Sequence, residues 1–300
     1  MGACSSVGGK ILVTGGQGQL AQALVRHGAS RVQLVGRPDF DFECLKTLEV
    51  VMAANNPSAV INAAAWTAVD LAESEPAAAA RANIAGPELL ARLCAQRSIP
   101  LLHISTDYVF DGAKGAPYIE TDLTSACSVY GRTKAEGEKA VLAACSQSMI
   151  VRTAWLYSAL GKNFVKTILM AGAKNPTLRV VDDQYGNPTS ADDLAVALLS
   201  IMTRIEQTGW HKDYGGIYHA SGSEATTWHG LAMSALQIAT THGWPMPDVQ
   251  AIATRDWPTP SCRPMDTRLD CAKLAEVFSV VMPSWKNSLE PIIEQVILSC

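Results

Sequence analysis

A chain of 300 residues, 48% hydrophobic and with 22 glycines, is long enough to bury a sizeable core as one large domain or two of ordinary size. Its formal net charge of −4 leaves no basic surplus for a phosphate backbone, so nucleic acid is not an expected partner. The eight cysteines form no C-x-x-C pair, which argues against a disulfide frame, a zinc site or a redox role. Apolar stretches such as LAVALLSIM from Leu194 are about half of a membrane span, and no signal peptide opens the chain, so the expected setting is cytoplasmic with no membrane partner.

The leader MGACSS fits the loose M-G-x-x-x-S pattern for N-myristoylation, and reads more simply as a frayed terminus ahead of the first strand. From Lys10, KILVTGGQGQLAQALVRHG reads strand, glycine turn, helix. Gly15 permits the sharp turn, Gly18 lets backbone approach a pyrophosphate, and the small Ala21 lets the helix sit close on the strand. Such a turn, with Gln17, Gln19 and Leu20 completing it, presents N–H groups to an anion at a helix N-terminus. The second strand, VQLVG, is followed by Arg37 and has no acid at its tip. An arginine there suits a 2′-phosphate, which favours NADPH over NADH, while Asp41 and Phe42 stand where they could flank the adenine.

The run AVINAAAWTAVD, taken as the fourth strand, sets Ala63, Ala64 and Ala65 at a carboxyl end where a flat cofactor can slide over the backbone. PAAAARANIAGPELLARLCAQ has helical periodicity, and LLHISTDYVFDG then delivers Ser105, Thr106 and Asp107 at its own carboxyl end. In SVYGRTKAEGEK, Tyr130 and Lys134 are four residues apart, and four residues of α-helix turn through about 400°, so both leave one face. A phenol beside an ammonium is expected to titrate below its usual value and to serve as a proton donor.

MIVRTAW is a further strand, after which the alternation weakens. Helical patterns follow in NFVKTILMAGAK and ADDLAVALLSIM, with a strand-like LRVVDDQ between them and another helix from Trp228 to about Thr241. The pattern as a whole predicts an α/β fold: a doubly wound, Rossmann-type parallel sheet over residues 10–156, and a smaller α/β substrate-binding domain over 157–300 from which some segments return to the first.

TGGQGQLA, NAAA, ISTDYVF and YGRTK, in this order, resemble the extended short-chain dehydrogenase/reductase family. NAAAWTAVDLAESEP, STDYVFDG, YGRTKAEGEKA, RTAWLY, DDQYGNPT and TPSCRPMDTRL narrow the resemblance to its dTDP-4-dehydrorhamnose reductase branch, across roughly residues 10 to 290. Trp66, where the branch has Tyr, His or Phe, and Ala21 in place of glycine depart from the pattern. The resemblance implies NADPH-dependent reduction, NADH also being usable, of the C4 ketone of dTDP-4-dehydro-6-deoxy-L-mannose to dTDP-L-rhamnose. Tyr130 would then donate the proton, Lys134 would lower its pKa and hold the nicotinamide ribose, and Thr106 would hydrogen-bond the ketone oxygen. Val69, Asp107, Tyr108, Trp155, Asn163 and Gln184 stand where the family contacts sugar or nucleotide, and Arg263 either helps bind the diphosphate or forms an ordinary salt bridge. Magnesium and a homodimer are also implied for some relatives, yet Glu290 and Glu294 of the final helix show no ligand spacing, so no metal is assigned and monomer or homodimer stays open.

Three rivals share the resemblance. A dehydratase needs an acid and base after the strand-end threonine, and Thr106 is followed by Asp107 and Tyr108 rather than two carboxylates. An epimerase would retain its dinucleotide through turnover. A non-catalytic role like that of the methionine adenosyltransferase regulatory subunit would not require Thr106, Tyr130 and Lys134.

Overall fold

The computed structural model describes residues 9–299, so the MGACSS leader lies outside the described residues. In chain order the first half runs β1 (Ile11–Thr14), α1 (Gln19–Gly28), β2 (Val32–Leu34), α2 (Lys46–Asn55), β3 (Ala59–Asn62), α3 (Val69–Ser74), α4 (Pro76–Ala80), α5 (Gly86–Arg97), β4 (Leu101–Thr106), α6 (Val129–Ala144) and β5 (Ser148–Thr153). The second half continues with β6 (Leu156–Tyr157), α7 (Phe164–Gly172), β7 (Thr177–Val181), β8 (Tyr185–Gly186), β9 (Thr189–Ser190), α8 (Ala191–Thr208), β10 (Gly216–His219), β11 (Thr226–Thr227), α9 (Trp228–Thr241), β12 (Asp248–Ile252), α10 (Ala272–Phe278) and α11 (Trp285–Leu298).

One parallel sheet has the order β10-β5-β4-β3-β1-β2. Every residue of β1, β3 and β5 is buried, because a parallel sheet covered by helices on both faces has no solvent side to alternate with. AVINAAA is the third strand and not the fourth: residues 37–58 contribute α2 but no strand. β1 pairs with β2 on one side and β3 on the other, so the topological switch lies between the loops that follow β1 and β3.

Leu194, Leu198, Ile201 and Ile205 recur at helical spacing along α8 and are buried against α1, and β10 adds to the sheet beside β5. Residues 191–219 therefore return to the half that carries the parallel sheet after the chain has left it. The other half has no large sheet. It pairs β6 with β9, β7 with β12, and β8 with β11, and its core of Leu169, Leu231, Trp285 and Ile293 lies among α7, α9 and α11.

Two features of the first half were hidden in its pattern. The helical run from Pro76 is interrupted by a π-helical turn at residues 81–85, which buries Asn83. Asn83 accepts from Trp66 N at 2.9 Å and donates to Thr133 Oγ1 at 3.1 Å, tying the loop after β3 to α6. Arg152, next to the carboxyl end of β5, is only 1% exposed and cannot remain there unpaired. Glu138 on α6 receives it at 2.9 and 2.7 Å, Ser105 Oγ donates to the same carboxylate at 2.5 Å, and the guanidinium lies over the Phe110 ring at 4.9 Å.

Removing one member of such a pair leaves the other charged and buried. Glu138→Gln should therefore cost about 3–5 kcal/mol in denaturant unfolding, and Glu138→Leu combined with Arg152→Met should recover most of it. A loss under about 1 kcal/mol in the single variant would show that the pair does not hold α6 in place.

Candidate active site

The turn after β1 is shaped for close approach. Gly15 has φ +108°, and a Cβ there would lie 3.0 Å from the Ala63 carbonyl oxygen, so both the conformation and the space require glycine. Gly18 N donates to the Gly15 carbonyl at 2.9 Å, and α1 starts at the next residue with no acid in its first turn. Its free N–H groups open toward the Ala63–Ala65 backbone across the switch point, which fits a dinucleotide pyrophosphate. Gln17 is exposed there, whereas Leu20 turns its side chain into the core. Arg37 is exposed and makes no hydrogen bond or ion pair among the described residues. Asp41 accepts from Glu43 N at 3.0 Å. Phe42, which the sequence suggests could flank the adenine, is largely buried. Its ring is packed on Gly86, where a Cβ would meet it at 2.2 Å, and only 7% of the residue is exposed.

At the carboxyl end of β4, Thr106, Asp107 and Tyr108 face α6. Ser128 caps that helix by accepting from Gly131 N, and Val129 N donates to Glu73 of α3 at 2.9 Å. Gly131 allows the approach, since a Cβ there would lie 2.0 Å from the Tyr108 carbonyl oxygen. Tyr130 thereby meets the Thr106 hydroxyl and packs edge-on to Tyr108 with ring centroids 5.9 Å apart. One turn on, Lys134 is 1% exposed and its Nζ donates to the Ile104 carbonyl at 2.7 Å.

The electrostatics differ from the expected lysine-tuned phenol. Burial pushes the Tyr130 phenol above its usual value, the Thr106 hydroxyl opposes this, and Asp107 and Tyr108 add to the rise. The Lys134 amine is turned down onto the Ile104 carbonyl, and burial brings the lysine itself to about 8 against the pull of Glu138. Asp107 is raised to about 6 by burial, although Thr267 Oγ1 at 2.5 Å and Thr106 Oγ1 at 3.0 Å both donate to its carboxylate. Tyr108 is pushed up to about 12 by burial, with Arg263 opposing.

The remaining residues divide. Arg263 forms an ion pair with Asp70 at 2.8 Å to each carboxylate oxygen and lies over the Tyr108 ring at 5.9 Å, beside Val69 of α3. Trp155 adopts φ +45° and stacks on Trp228 with centroids 3.5 Å apart. Gln184 is buried and bridges Trp228 Nε1 and Thr254 Oγ1. Asn163 caps α7 and donates to Gln19 Oε1 at 3.0 Å, which places it against the dinucleotide turn.

A family model described as the RmlD substrate binding domain matches residues 9–298. A dTDP-4-dehydrorhamnose reductase of Sinorhizobium fredii is 40% identical over 96% of this chain and 98% of its own length. The chain belongs to the dTDP-4-dehydrorhamnose reductase family. Among solved structures, the dTDP-4-dehydrorhamnose reductase of Clostridium acetobutylicum superposes with TM-score 0.88 at 33% identity, covering 97% of this chain and all of that one. That of Bacillus anthracis, in complex with NADP, superposes with TM-score 0.87 at 28% identity, covering 96% of this chain and all of that one.

Several organising groups of this reductase-family chain were not singled out in its sequence. Thr267 lies within the quoted SCRPMDTRL, and only the fold shows that it bonds Asp107. Glu138 continues the Tyr130, Lys134 face by a further turn, a signal that was legible. His242, at the end of α9, comes together with Glu290 and Glu294 in an exposed group whose ligand atoms lie within 4.8 Å of one another. Magnesium takes oxygen ligands, so this imidazole-containing set does not fit it. Among the described residues, no helix is long and apolar enough to cross a membrane.

Asp107 supplies a pH test. Its folded value lies above its unfolded one, so its contribution to stability is full below about pH 4 and is lost as pH rises through about 6. Asp107→Asn mimics the protonated acid and should exceed the parent by about 2–3 kcal/mol at pH near 8, yet match it at pH near 4. Thermal or urea unfolding at both values checks this, and a pH-independent difference contradicts it.

Proposed function

We propose that this chain reduces the C4 ketone of dTDP-4-dehydro-6-deoxy-L-mannose with NADPH, giving dTDP-L-rhamnose. The observation that carries the reading is the seating of Tyr130 at the carboxyl end of β4, its ring edge-on to Tyr108 and its helix held close by Gly131, next to a glycine turn shaped for a dinucleotide, in a chain of this reductase family. Gly15, Gly18, Gln19 and the Ala63–Ala65 backbone would hold the pyrophosphate side, and Arg37 the 2′-phosphate. Bound NADPH supplies the hydride.

The protein's own part is to receive charge at one oxygen. The Tyr130 hydroxyl would donate to the ketone oxygen as it gains negative charge, and the Thr106 hydroxyl, which here donates to Asp107, would turn to join it. The raised Tyr130 phenol is protonated throughout the neutral range, as a donor must be. Lys134 contributes an ammonium below about pH 8, next to the end of β4, where it would hold the ribose. The half built on α7, α9 and α11 would bind the nucleotide sugar, with Trp155 at its edge, while Arg263 guards the opposite side from its ion pair with Asp70. The lack of a second carboxylate after Thr106 supports reduction over dehydration.

Tyr130→Phe should lower kcat by about 10²–10⁴-fold while NADPH still binds, measured by NADPH oxidation and by fluorescence titration. Turnover close to the parent's would remove Tyr130 as the proton donor. Loss of NADPH binding as well would show instead that the substitution disturbs the fold of the site.

A further inference from the structure

The floor beneath Lys134 is a hydrogen-bonded row crossing three strands. Thr14 Oγ1 donates to Asn62 Oδ1 at 2.6 Å, and Asn62 Nδ2 stands 2.8 Å from His103 Nδ1. His103 Nε2 stands 3.3 Å from Lys134 Nζ, and that amine also donates to the Ile104 carbonyl at 2.7 Å. Thr14, Asn62 and His103 are each 0% exposed, so their donors and acceptors must be matched within the protein.

The direction of the row is set at the Thr14 end. Ala64 N–H, a donor that cannot reverse, lies 3.2 Å from both Asn62 Oδ1 and Thr14 Oγ1. Turning the Asn62 amide over would set its NH2 against that N–H, so the amide nitrogen faces His103 and donates to Nδ1. A neutral imidazole that accepts at Nδ1 carries its proton at Nε2, and here that proton points at Lys134 Nζ. An ammonium has no lone pair to receive it, whereas a neutral amine does.

We propose that His103, held by Asn62 as the Nε2–H tautomer, is a positioning residue that donates to Lys134 and favours its neutral amine, so that Asn62 and His103 set the upper pH at which Lys134 is charged. The consequence for turnover rests on the reductase reading, in which Lys134 works as an ammonium. The other groups around Lys134 are accounted for. Tyr130 and Glu138 share its helix, and Arg152 of β5 takes the Glu138 charge. Asp107 and Tyr108 stand at the end of β4, and Glu73 of α3 is engaged at the helix N-terminus by Val129 N. Burial lowers both members of the pair, His103 well below its usual value and Lys134 to about 8, and of the surrounding charges Glu138 acts in the opposite direction on the lysine. Lys134 is therefore charged below about pH 8 and loses its charge above it.

The direct test is 15N NMR of the histidine-labelled protein. The expected spectrum shows His103 with Nε2 protonated and Nδ1 bare across neutral pH; a proton on Nδ1, or a cationic ring, overturns the proposal whether or not any sugar is reduced. Asn62→Asp then replaces the donor to Nδ1 by an acceptor, which should move the His103 proton to Nδ1 and let Nε2 accept from the ammonium. In that variant the alkaline limb of kcat/KM for NADPH oxidation should move up by about one pH unit or more. A reversed tautomer with an unmoved limb overturns the control of Lys134 by His103, and a moved limb with an unchanged tautomer does so too, since the added charge alone then explains it. The expected tautomer in a wild-type protein that reduces no ketone would overturn the reductase reading and leave the histidine assignment standing.

Discussion

A guanidinium buried near the carboxyl end of a parallel strand is the constraint around which this molecule is arranged. Arg152 lies in a strand whose every residue is buried, and an isolated charge there would cost several kcal/mol. Glu138 must therefore reach the sheet, which seats α6 over β4 and β5. Once α6 is seated, the same helix face carries Lys134 and Tyr130 toward the carboxyl end of β4, one and two turns nearer the helix start. The ion pair thus lies at the far end of the row that contains Lys134 and Tyr130, the proposed reacting groups, and fixes their height above the strands.

Close approach is the second requirement, and small residues supply it. Gly131 brings the first turn of α6 against Tyr108, and Gly15 brings the cofactor turn against Ala63. Polar groups then fill what small residues leave: Asn83 from its π-helical turn, and Asn62 with His103 under Lys134. The site is consequently rigid on its sheet side. The half proposed to bind the sugar is built differently, from short strand pairs and from a Trp155–Trp228 stack, with Gln184 fixing the second indole.

How much of this was legible follows from the range of the forces involved. Local signals read well. The helix from Trp228 runs to Thr241 as expected, its start set by Thr227, which accepts from Gly230 N. The strands of the parallel sheet stand out as apolar runs, and the order of motifs after β1, β3 and β4 carried the family. Non-local matters did not read. Nothing near Phe42 in the sequence announces that Gly86 will receive its ring, and nothing near Arg152 announces Glu138. The Tyr130–Lys134 spacing placed both on one face correctly, yet it could not show that burial raises the phenol or that the amine faces the strand. His242 joins Glu290 and Glu294 only through the packing of α9 on α11.

The central claim is that one ketone carbon receives hydride while Tyr130 protonates its oxygen. NADPH deuterated at the transferring position, incubated with the protein and dTDP-4-dehydro-6-deoxy-L-mannose, tests it most directly when the product is resolved by NMR. The account predicts one NADPH consumed per sugar and deuterium on C4 of dTDP-L-rhamnose. Turnover without net NADPH loss, or a product with no deuterium at C4, would contradict it.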